Sequence, residues 1–214
     1  MPLTAVLFDL DNTIYPRSSG VQQALDERMN AYVQRVSGEP PAAVRALRSS
    51  WFARWGTTLA GLQREYAIDV EDYLRDIHDI RLDALLAPDA ELDRLLERLT
   101  VRRAIFTNSP AEHAGRVLRT LGVAQHFPLI FDIRFLEFRP KPDLTAYTRV
   151  IEALDIDPAT TLLIEDSPQN LPPARSLGLR TILVDERNAH PVNGDADHVV
   201  PDVHTALRLI LERY

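Results

Sequence analysis

The chain has 214 residues, of which 45% are hydrophobic and 26% charged, so it can form one large domain, or a domain with an insert, around a sizeable core. Its 24 basic and 31 acidic side chains give a net charge of −7, which argues against a general binder of nucleic acid or of an anionic membrane. Cysteine is absent, which excludes disulfides, thiolate nucleophiles and zinc–thiolate sites. No signal-like start or long apolar run is present, so we expect a cytoplasmic protein.

Two patterns of hydrophobic spacing divide the chain. Between residues 18 and 86, apolar side chains recur every three or four positions, which predicts helices and no strand. Four helices are expected in this block, with Gly38 and Gly56 ending the first two, at 21–36, 41–55, 57–66 and 70–80. The aromatic residues Trp51, Phe52 and Trp55 fall on one face of the second helix. This face either packs inside the insert, which we favour, or stacks on a substrate.

The predicted strands lie on both sides of this helical block. One strand is predicted before it, at 3–8. After Pro88, strands alternate with helices, and strands are predicted at 103–107, 129–132, 161–164, 181–184 and 198–200. Helices are predicted at 92–99, 110–121, 143–154 and 203–212, with a piece shortened by two prolines that ends at residues 176–178. This alternation predicts an α/β fold with a parallel sheet covered on both faces. The predicted core is 1–14 plus 87–214, and the helical insert 15–86 is placed to act as a cap.

Two carboxylates, Asp9 and Asp11, follow the first predicted strand at once. Residues two apart in a strand point to the same side, and open α/β sheets bind their ligands at the carboxyl ends of strands. Two anions so close repel each other unless a cation or a shared proton lies between them. Taken alone, the pair also fits two solvated aspartates in a turn.

Polar residues mark three further places where predicted elements meet. Thr107-Asn108-Ser109 ends a strand and begins a helix, which suits either a helix cap or a phosphate site. Arg139 and Lys141 each precede a proline and are therefore held extended, which fits either a rigid surface loop or a directed cation. A second acidic pair, Glu165-Asp166, ends another buried strand. Hard oxygen ligands of this kind favour Mg²⁺.

In order along the chain, these segments resemble the four motifs of the haloacid dehalogenase (HAD) superfamily: Asp9-x-Asp11-x-Thr13, Thr107-Asn108, Lys141-Pro142 and Glu165-Asp166-Ser167. The resemblance covers nearly the whole chain and implies a Rossmann-like three-layer core with a helical cap after the first strand. Three segments also resemble the pyrimidine 5′-nucleotidase branch, namely 8–16, 55–62 and 166–171.

The resemblance also implies roles for individual residues. Asp9 would be the nucleophile, and as a carboxylate with an ordinary pKa of ~4 it is expected to be ionised at pH 7. Asp11 would be the general acid and base, which requires that it be protonated on substrate binding and so have a raised pKa. Mg²⁺ would be held by Asp9, the Asp11 carbonyl and Asp166. Glu165 departs from the branch, which more often has aspartate there, so either metal contact or an orienting role is open. The phosphate would be bound by Thr107, Asn108, Ser109 and Lys141, while supporting or substrate-facing positions would be Thr13, Tyr15, Arg54, Thr57, Arg139 and Asn170.

The function that the resemblance implies is a Mg²⁺-dependent phosphomonoesterase acting through an aspartyl-phosphate on a small phosphorylated metabolite, with a pyrimidine nucleoside 5′-monophosphate favoured. A phosphosugar phosphatase or phosphomutase of the same superfamily is the alternative. A non-catalytic phosphoacceptor or binding module is an alternative of another class. A dehalogenase is disfavoured because that reaction does not need a second acid at Asp11. The expected partner is a small phosphate compound, with neither nucleic acid nor membrane, and oligomeric state stays open.

Overall fold

Six strands form a single parallel sheet in the computed structural model, which describes residues 2–187 and 194–214. The strands are β1 (Ala5–Phe8), β2 (Arg102–Phe106), β3 (Ile130–Phe131), β4 (Thr161–Glu165), β5 (Arg180–Val184) and β6 (His198–Val200). Their spatial order is β3-β2-β1-β4-β5-β6. Every residue of β1 and β4 is buried, as expected for strands covered on both faces. The predicted α/β fold class is confirmed, and residues 1 and 188–193 of the predicted core lie outside the described part.

The helices follow the predicted positions closely: α1 (Val21–Ser37), α2 (Pro41–Trp55), α3 (Thr58–Glu65), α4 (Val70–Ile77), α5 (Ala90–Arg98), α6 (Ala111–Leu121), α7 (Leu144–Leu154), α8 (Leu171–Ser176) and α9 (Val203–Arg213). Gly38 and Gly56 end α1 and α2 in the left-handed conformation, where glycine carries no Cβ penalty. The two prolines in α8 accompany a helix of only 6 residues. Among the described residues, no helix is long and apolar enough to cross a bilayer.

The strand order reverses at β1, the strand that carries the first acidic pair. Phe8 at the end of β1 pairs with Ile105 of β2 on one side and with Ile164 of β4 on the other. The residues that follow these three strands therefore emerge at one edge of the sheet, at the point where an open α/β sheet forms its ligand crevice.

The chain separates into two compact units. One consists of the residues up to Ser19 together with Leu82–Tyr214, and the other is Gly20–Arg81. The insert was predicted at 15–86, so each end of the helical unit lies five residues inside the predicted boundary. The buried side chains of Tyr15 and Leu82 belong to the sheet-containing unit, which accounts for the difference.

Within the helical unit, α1 contacts α2 and α4, and α2 contacts α3. Trp51 of α2 is fully buried and meets Tyr66 edge to face, with ring centroids 6.1 Å apart. The packing interpretation is therefore confirmed for Trp51. It is wrong for Phe52, which is 53% exposed, because its neighbouring position on the helix turns about 100° away from Trp51.

The indole of Trp51 occupies the space beside Gly61 of α3. A Cβ added to Gly61 would lie 2.2 Å from Trp51 Cγ, so we expect Gly61→Ala to destabilise the helical unit by about 1–3 kcal/mol, the usual cost of overpacking. Both tryptophans of the chain, Trp51 and Trp55, lie on α2. Tryptophan fluorescence during denaturant unfolding therefore reports on this unit.

Gly115→Ala in α6 is the matched control for Gly61→Ala. The nearest atom to its added Cβ is Arg119 Nη1 at 3.1 Å, the far end of a flexible side chain, and alanine is favoured over glycine in a helix by about 1 kcal/mol. We expect unfolding followed by circular dichroism to show unchanged or higher stability for Gly115→Ala. Equal unfolding midpoints for Gly61→Ala and the unsubstituted protein would contradict the close contact with Trp51.

Candidate active site

The residues that follow β1, β2 and β4 lie at the carboxyl edge of the sheet. Backbone pairing extends one residue beyond two of these strands, because Asp9 N donates to Ile164 O at 2.9 Å and Thr107 N donates to Phe131 O at 3.0 Å. Asp9 thus lies level with Glu165, the last residue of the adjacent strand β4. The sheet itself places these two carboxylates side by side.

Lys141 links these two carboxylates. Its Nζ donates to Asp9 Oδ1 at 2.7 Å, to Glu165 Oε2 at 2.7 Å and to the carbonyl of Phe106 at 2.8 Å. An ammonium group has three donors, so all three are used inside the protein. Burial lowers the pKa of Lys141, but the charges of Asp9 and Glu165 outweigh burial and leave that pKa above its usual range. Lys141 is therefore a permanent cation at this edge.

The backbone of Lys141 is held by Asn108. Lys141 N donates to Asn108 Oδ1 at 2.8 Å, and Asn108 Nδ2 donates to Lys141 O at 3.0 Å. The peptide bond between Lys141 and Pro142 is cis. Asn108 was predicted to bind phosphate, but in the structure both ends of its side-chain amide are engaged by the lysine loop.

Asp9 is buried and its two oxygens have different partners. Oδ1 accepts from Lys141, and Oδ2 accepts from the hydroxyl of Thr13 at 2.8 Å. Burial, followed by the charge of Glu165, raises the pKa of Asp9 to about 7, although Lys141 opposes the shift. The expectation that Asp9 is fully ionised at neutral pH is therefore wrong for the protein alone, because one lysine serves two buried acids.

Asp9, Glu165 and Asp166 form a cluster that fits a metal ion, called here the metal-capable cluster. Each offers a carboxylate oxygen, and these oxygens all lie within 4.8 Å of one another. Burial and the charge of Asp9 raise the pKa of Asp166 to about 6, while Arg17 opposes the shift from 3.0 Å away. Raised acid pKa values mark a shortage of positive charge, which a divalent cation would supply. An all-oxygen donor set suits Mg²⁺.

Glu165, like Asp9, has a partner for each of its two carboxylate oxygens. Oε2 accepts from Lys141, and Oε1 accepts from the backbone N–H of Ser167 at 3.0 Å. Burial raises the pKa of Glu165 despite the charge of Lys141. Its firmest contacts are thus with the lysine and with the turn that carries Asp166.

Asp11 has separate surroundings from the metal-capable cluster. Its Oδ2 accepts from Ser109 Oγ at 2.6 Å, and its Oδ1 accepts from Tyr15 OH at 2.5 Å and lies 3.2 Å from His113 Nε2. Burial raises the pKa of Asp11, but His113 and the two hydroxyl groups outweigh burial and leave that pKa well below its usual range. The predicted rise in the pKa of Asp11 concerns the protein with bound substrate. In the substrate-free protein the pKa is instead lowered, because three groups favour the carboxylate.

The similarity of the chain to known proteins agrees with this geometry. The sequence profile of the haloacid dehalogenase-like hydrolases matches residues 3–178. The chain belongs to this family. An N-acetylmuramic acid 6-phosphate phosphatase of Pseudomonas putida is 28% identical over 226 aligned positions, which cover 99% of this chain and 97% of that protein.

One further relative and one solved structure are also similar to this HAD-like hydrolase. Phosphate metabolism protein 8 of Saccharomyces cerevisiae is 28% identical over 82% of the chain, and the match spans only 60% of the yeast protein. The crystal structure of a HAD phosphatase from Thermococcus onnurineus superposes with a TM-score of 0.66 at 18% identity, over 97% of this chain and 98% of that one. At that identity the likeness shows the fold alone.

The other residues predicted for the active site of this HAD-like hydrolase differ in their burial and in their contacts. Thr107 is buried, and its hydroxyl accepts from Ser109 N at 3.0 Å, so it shapes the turn after β2. Asn170 is buried and its carbonyl accepts from Tyr147. Arg139 is exposed, and no hydrogen bond between its side chain and the carboxylate cluster is seen among the described residues. In the helical unit, Arg54 lies over the ring of Trp55 and Thr57 caps α3.

Sequence reasoning missed His113. The residue lies on α6, is 1% exposed, and shares the buried face of that helix with Ala114, Val117 and Leu118. A histidine on an apolar helix face, only four residues after Ser109, was the available signal. The single lysine of the chain was a second signal, since Lys141 stands alone beside 23 arginines among the 24 basic residues.

Proposed function

We propose that the chain is a Mg²⁺-dependent phosphomonoesterase that acts through a phosphorylated Asp9. The observation that carries this proposal is the placement of Asp9 at the switch point of the sheet, within an acidic cluster that fits a metal ion and beside a buried lysine. Thr13 and Lys141 fix both oxygens of the carboxylate, which orients the group for attack. Membership of a hydrolase family supports the same reaction class.

In the proposed reaction, an oxygen of Asp9 forms a bond to phosphorus while the bond from phosphorus to the leaving oxygen breaks. Asp11 donates a proton to that leaving oxygen, and later accepts a proton from the water that hydrolyses the acyl phosphate. Because Asp11 is held as a carboxylate in the free protein, it must take up this proton as the substrate binds. The negative charge of an arriving phosphate raises the pKa of a neighbouring carboxyl group, which makes that uptake favourable.

Mg²⁺ would be held by the carboxylates of Asp9 and Asp166 and by the backbone carbonyl of Asp11. When bound, it supplies positive charge that offsets the repulsion between a carboxylate and a phosphate. We propose that Glu165 positions Lys141 and the Asp166 turn, since its oxygens already have those partners. Thr107 and Ser109 line the phosphate side of the site, and we propose the helical unit as the cap that selects substrates.

The substrate class has two candidates. The sequence resemblance favours a pyrimidine nucleoside 5′-monophosphate, whereas the name of the Pseudomonas putida relative favours a sugar phosphate. A panel measuring phosphate release from UMP, CMP, N-acetylmuramic acid 6-phosphate and hexose phosphates separates them by kcat/KM. Isomer interconversion that requires a bisphosphate primer would instead indicate a mutase. A protein that becomes phosphorylated without releasing phosphate would indicate a phosphoacceptor module.

The raised pKa values of Asp9 and Asp166 predict how Mg²⁺ stabilises the protein at different pH. Without metal, Asp9 keeps its proton up to about pH 7 in the folded state but loses it near pH ~4 when unfolded. The folded state therefore binds more protons across this window, so metal-free stability falls as pH rises through it. Mg²⁺ binds the deprotonated groups, and we expect its stabilising effect to grow with pH.

Thermal unfolding with and without Mg²⁺ at pH 5.5 and pH 8 measures this effect. A concentration about 100 times Kd contributes about 2.7 kcal/mol, which corresponds to a Tm rise of about 5–10 °C for a chain of this size. We expect that rise at pH 8, a much smaller one at pH 5.5, and almost none for Asp166→Asn at either pH. Equal rises at both pH values, or an unchanged response in Asp166→Asn, would contradict the assigned metal site.

A further inference from the structure

Three donors from three places in the chain converge on the Asp11 carboxylate. Tyr15 lies four residues away on the same segment, Ser109 lies on the turn after β2, and His113 lies on α6. Asp11 itself follows the end of β1 on an irregular turn, and the next residue, Asn12, has a left-handed φ of 62°. A carboxylate on such a turn is not oriented by regular backbone pairing, so its direction depends on side-chain contacts.

His113 is the most deeply buried of the three residues that contact Asp11. Its side chain has no exposed surface, whereas that of Asp11 is 19% exposed. The ring belongs to an 11-residue helix whose neighbouring positions, Ala114 and Val117, are completely buried. Tyr15 is also buried but lies on the same segment as Asp11, and Ser109 is only partly buried. The imidazole therefore joins the Asp11 turn to a buried helix of the sheet-containing unit.

We propose that His113 is a positioning residue that, through its Nε2, aims the Asp11 carboxyl group at the oxygen of the leaving group. The proposal rests on the proposed function, because it assigns to Asp11 the proton transfer of that reaction. His113 itself contacts no substrate. Its contribution is to remove the freedom of the Asp11 side chain, so that the proton lies near the leaving oxygen when the bond from phosphorus breaks.

The competing explanation is that His113 only fills space in the core. The two explanations differ in their dependence on the leaving group. An alkoxide leaves a phosphate ester with difficulty and needs a proton, whereas dinitrophenolate is a stable anion and leaves without one. Loss of an aiming contact therefore slows the alkyl ester selectively. A packing defect would disturb Asp9 and the metal-capable cluster as well, and would slow both esters alike.

The test is single-turnover phosphorylation of Asp9 in the full chain with Mg²⁺, using an alkyl phosphate and 2,4-dinitrophenyl phosphate. For His113→Leu we expect the rate with the alkyl ester to fall about 10- to 100-fold, the usual cost of losing an outer hydrogen-bond partner. With the dinitrophenyl ester we expect a loss of less than about threefold, because that step needs no proton. KM should change little for either ester.

His113→Gln is the rescue variant, because its amide places an N–H donor near the position of Nε2. We expect His113→Gln to recover most of the alkyl-ester rate. If leucine unfolds the protein, His113→Asn makes the same comparison, since its shorter amide does not reach Asp11. Equal slowing of both esters, no slowing of either, or a glutamine variant no better than leucine or asparagine would each overturn the proposal.

His126→Leu is the matched control. His126 also contacts an aspartate, with Nε2 2.7 Å from Asp93 Oδ1, but it lies outside the candidate active site, so both esters should react at the unsubstituted rate. Failure of the proposed function looks different from failure of the His113 proposal. In that case the unsubstituted protein itself would transfer no phosphoryl group from either ester to Asp9.

Discussion

Asp9→Asn should lower phosphate release by at least about 10⁴-fold, the scale seen when a covalent nucleophile is removed. The amide carries no negative charge and cannot form the acyl phosphate. Thr13 can still donate to the amide oxygen, so the turn after β1 should keep its shape. Steady-state release of phosphate from the best ester of the substrate panel, with thermal unfolding as the check on folding, measures the effect.

Asp11→Asn tests whether Asp11 has a different role from Asp9. This variant should also be slow, by about 10²–10⁴-fold, the contribution of general acid–base catalysis, yet it should still phosphorylate Asp9 from an ester whose leaving group needs no proton. Asp93→Asn is the control for the chemical change, because Asp93 is a half-exposed acid on α5. Equal and mild losses in Asp9→Asn and Asp11→Asn would contradict the assigned roles and leave the pair as ordinary turn residues.

Lys141→Met should remove activity and also destabilise the protein. Removing one partner of a buried ion pair leaves uncompensated charge and costs about 3–5 kcal/mol, and here Asp9 and Glu165 both lose their cation. For a chain of this size we expect a fall in Tm of about 6–20 °C. Thermal unfolding in the absence of metal measures this loss, and phosphate release with Mg²⁺ measures the loss of activity.

The double variant Lys141→Met/Glu165→Gln tests the cause of that instability. Neutralising Glu165 removes one of the two uncompensated acids, so part of the lost stability should return. Activity should not return, because Asp9 still lacks the donor to its Oδ1. A double variant no more stable than Lys141→Met would contradict the ion-pair account. A Lys141→Met protein with normal activity would contradict the role of the lysine altogether.

The order of elements was predictable because the hydrophobic pattern and the turn residues agree along the chain. Gly38 and Gly56 end the first two helices where predicted. The strands that carry Asp9, Thr107 and Glu165 were recognisable as buried apolar runs followed by polar residues. In a parallel sheet these positions must meet at one edge, so the neighbourhood of the acids and Lys141 followed from topology.

The protonation states of Asp9 and Asp11 were not predictable from the spacing of residues in the sequence. Which acid keeps its proton depends on the number of donors that reach each carboxylate. Asp9 shares Lys141 with Glu165, whereas Asp11 collects contacts from Ser109 and from His113 about a hundred positions away. Side-chain partners at such separations are set by tertiary packing. The single lysine among so many arginines was nevertheless informative, since a compact ammonium with three donors fits three converging acceptors in a way that a planar guanidinium does not.

The central claim is that Asp9 carries the phosphoryl group, and the most direct measurement is to trap it. The protein with Mg²⁺ is mixed with 2,4-dinitrophenyl phosphate, quenched within one turnover and digested for peptide mass spectrometry, with Asp9→Asn treated in parallel. We predict that the peptide containing Asp9 gains the mass of one phosphoryl group, that hydroxylamine removes this mass as expected for an acyl phosphate, and that Asp9→Asn shows no gain. Phosphate release without any labelled protein, or a label on a residue other than Asp9, would contradict the account.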